Sequence, residues 1–286
     1  MPPHLQVLLA LAAMASGSHQ VVIGDCFDVS QKVVSQCLAR VSVAIAGLSR
    51  QYIMFPTGNM LHKIIEDFHT IAGMPGVIGC IDCTHIQIVK PPRNDSEIFR
   101  CRKGYFSLNI QAICGPDLLF YNIVARWPGS VHDARIFENS RICDDLREGV
   151  LPGHLLGDSG YPNRKYLLTP LLSPNSPQEE RYNASHVKTR NTVERAFGVL
   201  KRRFSYLGKS MRTNLETTKA IIVASVVLHN IAVKTRIDME DDVIAVNENF
   251  QNNNLNVPDN FVQARHGNNE ALLGRLKRQQ IIQEYF

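Results

Sequence analysis

The chain has 286 residues, 44% of them apolar and 20% charged, a balance that fits a globular protein and excludes a collagenous or wholly disordered one. Its seven cysteines are an odd number without regular spacing, which argues against a disulfide framework and favours a reducing compartment. The formal charge is +5, yet residues 181–220 alone hold ten Lys and Arg against two acids. That concentration would attract a polyanion; a solvated helix face is the plainer alternative.

Residues 3–16 predict a short apolar helix. Leu5–Met14 has the apolar content of a signal h-region, with Ala13-Met-Ala15 as a cleavage site, but it lacks a basic n-region, so the helix reading is preferred. Gly17–Gly24 reads as a break. Asp28-Val-Ser-Gln31 then opens a second helix, with Ser30 as N-cap and Val33, Val34, Cys37, Leu38, Val41 and Ala44 as its buried stripe. Helix, turn and capped helix make a helix-turn-helix-like outline. Pro56-Thr-Gly58 leads into another amphipathic helix ending near Ile71.

From Gly76 the pattern turns to strands: Val77–Ile81, Thr84–Val89, Tyr105–Cys114 and Leu118–Arg126, the last two around a Gly115-Pro-Asp117 turn. Short helices are expected at 132–139 and 140–147, a brief strand at His154–Gly157, and a loop over Pro162–Pro177. A long helix follows at 188–207, with Val193, Phe197, Leu200, Phe204 and Leu207 on one face. A mostly apolar helix spans 215–235. Asn-rich residues 236–265 read as a flexible linker, and Gly267-Asn-Asn269 as a turn before a terminal helix at 270–284. No segment reaches the roughly 18 apolar residues that span a bilayer, and no internal repeat is visible.

Three acids stand in settings suited to a metal ion: Asp82 at the end of the apolar run from Gly76, Asp158 between Leu155-Leu-Gly157 and Ser159-Gly-Tyr161, and Glu194 on the basic helix. Two strand-end aspartates and a helical glutamate are the donors that two-metal phosphodiester chemistry uses, and Mg²⁺ or Mn²⁺ takes such oxygen ligands. Each has a plainer reading: Asp82 and Asp158 as turn residues, Glu194 as an exposed partner of Arg190 one turn back. Asp133, in Pro128-Gly-Ser-Val-His-Asp-Ala-Arg135, reads as a residue at a helix N-terminus or as an auxiliary ligand. Arg190, Arg195, Lys201, Arg202 and Arg203 follow the helix of Glu194 as candidate phosphate contacts. Cys80-Ile-Asp-Cys83 with His85 raises a zinc alternative, but no second pair lies at finger spacing, and positions 80 and 83 of a strand face opposite ways. Asp158-Ser-Gly160 lacks the flanks of a serine nucleophile elbow.

Pro75-Gly-Val-Ile-Gly-Cys-Ile-Asp-Cys-Thr-His85, Trp127-Pro-Gly-Ser-Val-His-Asp133, Leu156-Gly-Asp-Ser-Gly-Tyr161, Val193-Glu-Arg-Ala-Phe197 and Leu228-His-Asn230 together resemble the Harbinger-type transposases and the nucleases derived from them. The resemblance covers about residues 5–235. It implies an α/β ribonuclease-H-like mixed sheet flanked by helices, of the DDE superfamily, over 73–235. It further implies a helix-turn-helix-like region over 1–72; composition and turn signals set the linker at 236–269 and the C-terminal helix at 270–286. Asp82, Asp158 and Glu194 would be its metal-binding acids, and the 36-residue step from Asp158 to Glu194 suits the usual spacing. One departure is Cys83, where family members often have Gly. DNA is the implied substrate, a Myb/SANT-like protein the implied partner, and the nucleus the implied location. A metal-dependent DNA nuclease is therefore the leading expectation. A silent DNA-binding scaffold is the alternative, and a small-phosphate hydrolase a third that leaves the basic helix unexplained.

Overall fold

A computed structural model describes residues 1–92, 94–235 and 267–286. Five helices lead the chain: α1 (Pro3–Ser16), α2 (Gln20–Cys26), α3 (Gln31–Ala46), α4 (Ser49–Tyr52) and α5 (Asn59–Ala72). Then come β1 (Val77–Gln87), β2 (Ser107–Cys114), β3 (Phe120–Pro128), α6 (Asp133–Glu138), α7 (Arg141–Arg147), β4 (His154–Leu156) and β5 (Leu167–Leu168). Two long helices, α8 (Pro177–Arg203) and α9 (Leu215–Lys234), precede the terminal α10 (Gly267–Tyr285).

The strands form one mixed sheet in the order β3-β2-β1-β4-β5. β1–β2 and β2–β3 are antiparallel; β1–β4 and β4–β5 are parallel. Helices cover both faces. Ile78, Ile81, Ile113 and Leu155 pack with Phe137, Ile142 and Leu146 of α6 and α7. Cys80, Ile110, Ala112 and Phe120 share a second apolar cluster with Val193 and Phe197 of α8, Val226 of α9 and Leu9, Met14, Val34 and Leu38 of the leading helices. Burial on both sides explains why every residue of β2 is buried and why its sequence lacks clean alternation.

Several expectations shift. The break at 17–24 contains α2, because only residues 17–19 leave the helix: Gly17 has a φ of +61°, and a side chain there would meet the backbone of Ser205 at 2.9 Å. Ser30 sits at the N-cap of α3 without a side-chain cap bond. Ala44 is exposed, and Ser42 is buried instead, against Met14. The two strands expected over 77–89 are one strand, since Asp82 and Cys83 between them keep extended backbone paired with β2. The loop of 162–177 contains the short edge strand β5.

α8 begins eleven residues earlier than the apolar stripe suggests, at Pro177 after Ser176, whose hydroxyl accepts from Glu179 N at 3.3 Å. A proline at the first helical position is a start signal as well as a loop signal. α8 closes at Arg203, and Phe204 and Leu207 enter the core from a 3-10 turn, Ser205–Gly208. α9 is long and apolar enough, by length and composition, to cross a membrane, contrary to the expectation that no segment is. Its apolarity serves the interior, where it packs against α3, α4 and β3. The expected linker lies outside the described residues up to 266, and the expected turn at 267–269 is already the first turn of α10.

Candidate active site

Asp82 lies on β1, on the face toward α8, two residues beyond the Cys80–Leu156 pair that ends β4. Asp158 lies two residues beyond the same pair on the other chain segment. Parallel pairing thus sets Asp82, in the middle of β1, level with Asp158, just past the end of β4. α8 crosses that face: the Cys80 thiol donates to Thr189 O at 3.4 Å, which brings the next turn of the helix over Asp82.

Arg190 stands where these elements meet. Its Nη1 donates to Asp82 Oδ2 at 3.1 Å, and its Nη2 donates to Glu194 Oε1 one turn on. The Arg190 side chain is 16% exposed, and those of Asp82 and Glu194 18% and 29%. Asp82 Oδ1 also accepts from Cys83 N at 2.7 Å, and Asp158 Oδ1 from Gly160 N at 3.0 Å.

Burial is the main influence on both aspartates, since a buried carboxylate loses hydration that a neutral acid does not need. It pushes the Asp82 carboxyl up to about 7, with Arg190 opposing the rise and Asp158 adding to it. Asp158 is raised as well, again by burial first, with Arg190 opposing and Asp133 and Glu194 adding. Asp158 thus bears on Asp82 and Glu194 on Asp158, so the three expected residues are linked electrostatically.

Asp133, the first residue of α6, joins from the opposite face of the sheet. It accepts from Asn109 Nδ2 at 2.9 Å and lies beside the Cys83 thiol, which also meets the Tyr161 hydroxyl at 3.3 Å. His85 Nδ1 lies 3.0 Å from Ser107 Oγ, and burial lowers its pKa, keeping the ring neutral at pH 7. Cys80 and Cys83 reach to opposite faces, Cys80 to Thr189 and Cys83 to Tyr161, so they do not grip one ion.

The basic residues part company. Arg190 is turned to the acids. Lys201 Nζ donates to Thr84 Oγ1 at 2.7 Å, against β1. Arg203 is half-buried, its Nη1 3.4 Å from His229 Nδ1. Arg195 is half-buried, and Arg202 is exposed. Sequence reasoning assigned Arg190 to phosphate or, from the i, i+4 spacing, to Glu194; what it missed is the contact with Asp82.

Among the described residues, no three of these side chains converge closely enough to hold an ion as they stand. In kind, however, the donors fit a hard divalent cation: carboxylate oxygens from three segments, two of them on acids that burial raises, with one arginine as the opposing charge.

Comparison with known proteins gives this site a family. Residues 81–230, which include Asp82, Asp158 and Glu194, match the family described as DDE superfamily endonuclease. The Homo sapiens protein named "Putative nuclease HARBI1" is 36% identical over 242 residues, covering 83% of this chain and 69% of its own length. Its Xenopus laevis namesake is 33% identical over 244 residues, covering 83% and 70%. The Arabidopsis thaliana "Protein ALP1-like" is 29% identical over 256 residues, covering 84% and 62%. No solved structure matches. With over half its length inside the family's boundaries, and a Harbinger-derived relative aligned over most of both sequences, this chain is a member of the DDE superfamily endonuclease family.

Proposed function

We propose that the protein is a divalent-metal-dependent nuclease that hydrolyses phosphodiester bonds in DNA, with Asp82, Asp158 and Glu194 as the residues that hold the cation. The observation that carries this reading is the single guanidinium spanning Asp82 of β1 and Glu194 of α8, within the field of Asp158. Acids far apart in sequence meet there around positive charge. Bound Mg²⁺ or Mn²⁺, as a pair in the two-metal form of this chemistry, would activate water and stabilise the attacking and leaving oxygens. The chain's own part is positioning. β1 and β4 fix the two aspartates, and α8 sets Glu194 against them. Asp133 and His85 flank the site as auxiliary groups. Arg202 and its basic neighbours on α8 supply charge for the phosphate backbone.

The three antiparallel strands continued by two parallel ones support a ribonuclease-H-like reading of the sheet. The turn between α2 and α3 supports a helix-turn-helix-like reading of residues 1–72. A nuclear location and a Myb/SANT-like partner belong to the same proposal. The plant relative named "Antagonist of like heterochromatin protein 1" lends it a chromatin setting through its name alone.

The test is cleavage of plasmid DNA with Mg²⁺ or Mn²⁺. Wild type should nick or linearise it, and Asp82→Ala and Glu194→Ala should each lower the rate at least about 100-fold, since even outer partners of metal ligands cost 10–100-fold. Equal cleavage by wild type and both variants would remove the assignment.

The same Arg190 bridge favours a second reading, a DNA-binding scaffold that needs no metal because an arginine already offsets part of the charge of its acids. DNA binding without cleavage, and without any response to Mg²⁺, would select it.

A further inference from the structure

Arg190 is fixed at its backbone and committed at its head. Thr189, next to it, accepts from the Cys80 thiol, while its own hydroxyl donates to Ser185 O at 2.8 Å. Ser185 in turn donates to Ala72 O at 2.6 Å. This stretch of α8 is therefore docked to β1 and to the end of α5, and cannot tilt away without breaking buried contacts. The guanidinium beyond it spends one arm on Asp82 and the other on Glu194. Burying it costs hydration that these two carboxylates, with Asp158 nearby, offset.

On the reading that the three acids hold a cation, Arg190 occupies the place that ion must take. We infer that Arg190 is an internal counter-ion that offsets part of the negative charge of the metal-free site, and that a divalent cation enters by displacing its guanidinium from Asp82 and Glu194. The helix is pinned, so the arginine side chain, with several rotatable bonds, is the part that moves. The exchange discriminates by charge. A monovalent ion would replace one positive charge with another and gain nothing, whereas a divalent ion adds one. Metal affinity is then lower than the acids alone would give, and the protein without metal is protected from repulsion among Asp82, Asp158 and Glu194.

The experiment compares Mn²⁺ binding to wild type, Arg190→Gln and Asp82→Asn by equilibrium dialysis, with thermal unfolding measured in parallel. Opposite charges at this range alter the affinity of a carboxylate for protons by about 10- to 1000-fold. Arg190→Gln should accordingly bind Mn²⁺ at least about tenfold tighter, unfold at lower temperature without metal, and recover more on adding it. Asp82→Asn should lose the binding, which locates the ion. A purely structural arginine would not raise metal affinity when removed.

Binding by wild type with equal or weaker binding by Arg190→Gln overturns the counter-ion role and leaves the cation site standing. Binding by neither overturns both. Binding by the variant alone supports the inference, with the arginine acting as a block. If Arg190→Gln is unfolded without metal, Mn²⁺ can be titrated while near-ultraviolet circular dichroism is followed. Refolding at Mn²⁺ concentrations below those that saturate wild type supports the inference, and failure to refold overturns it.

Discussion

Asn230 of α9 binds both backbone groups of Phe120 at the start of β3: its Oδ1 accepts from Phe120 N at 2.9 Å, and its Nδ2 donates to Phe120 O at 2.7 Å. The same amide donates to Tyr52 O at 2.8 Å. One buried side chain thus ties the sheet, α9 and the end of α4 together. Asn230→Leu has a similar volume but leaves three backbone groups without partners. Each costs about 1–3 kcal/mol, so urea unfolding should show a loss of about 3 kcal/mol or more. A loss near that of an exposed substitution would show that water replaces the amide.

Three buried histidines make the fold sensitive to acid. His186 and His229 are pushed down to about 4 and His154 to about 3, each mainly by burial. Unfolded histidine titrates near 6.5, so between pH 6.5 and 4 the unfolded chain binds more protons than the native one. Stability is therefore full above about pH 6.5 and falls as pH drops through that window, by up to about 1.4 kcal/mol per pH unit for each histidine. His229 Nε2 lies 3.0 Å from Leu118 O, a bond that Gln can supply. In His229→Gln, the difference in urea midpoint between pH 7 and pH 5 should shrink. Parallel curves for variant and wild type would contradict this.

Gly274 sits where α10 crosses the segment after Asp158. A side chain there would meet Arg164 Cα and Asn163 O, each at 2.7 Å. Gly→Ala inside a helix ordinarily stabilises by about 0.5–1 kcal/mol. Here Gly274→Ala should destabilise by about 1–3 kcal/mol through overpacking and speed proteolysis near residues 163–164. A higher melting temperature would show that α10 lies elsewhere.

Arg202 is exposed on α8. If this helix follows the phosphate backbone, Arg202→Ala should weaken duplex binding about equally for all sequences. It should also reduce the slope of log affinity against log salt by about 1. An unchanged slope would move the DNA path away from this helix.

Local chemistry determined most of the elements. Apolar spacing marked the helices of 31–46, 59–72 and 215–234, and β-rich runs flanking a Gly-Pro-Asp turn marked β2 and β3; Asp158 does follow a strand, whereas Asp82, expected at a strand end, lies in the middle of β1. Such signals work because they report which face of a single element avoids water. What they could not report depends on a partner. The edge strand β5 has two residues and exists through pairing with β4. The start of α8 was hidden because proline marks loops and helix starts alike. The choice of Arg190 between phosphate and carboxylate is a contact across 108 residues. From sequence its charge suited either role. Only the parallel pairing of β1 with β4, and the docking of α8 over them, placed negative oxygens on both sides of that guanidinium and decided which it holds.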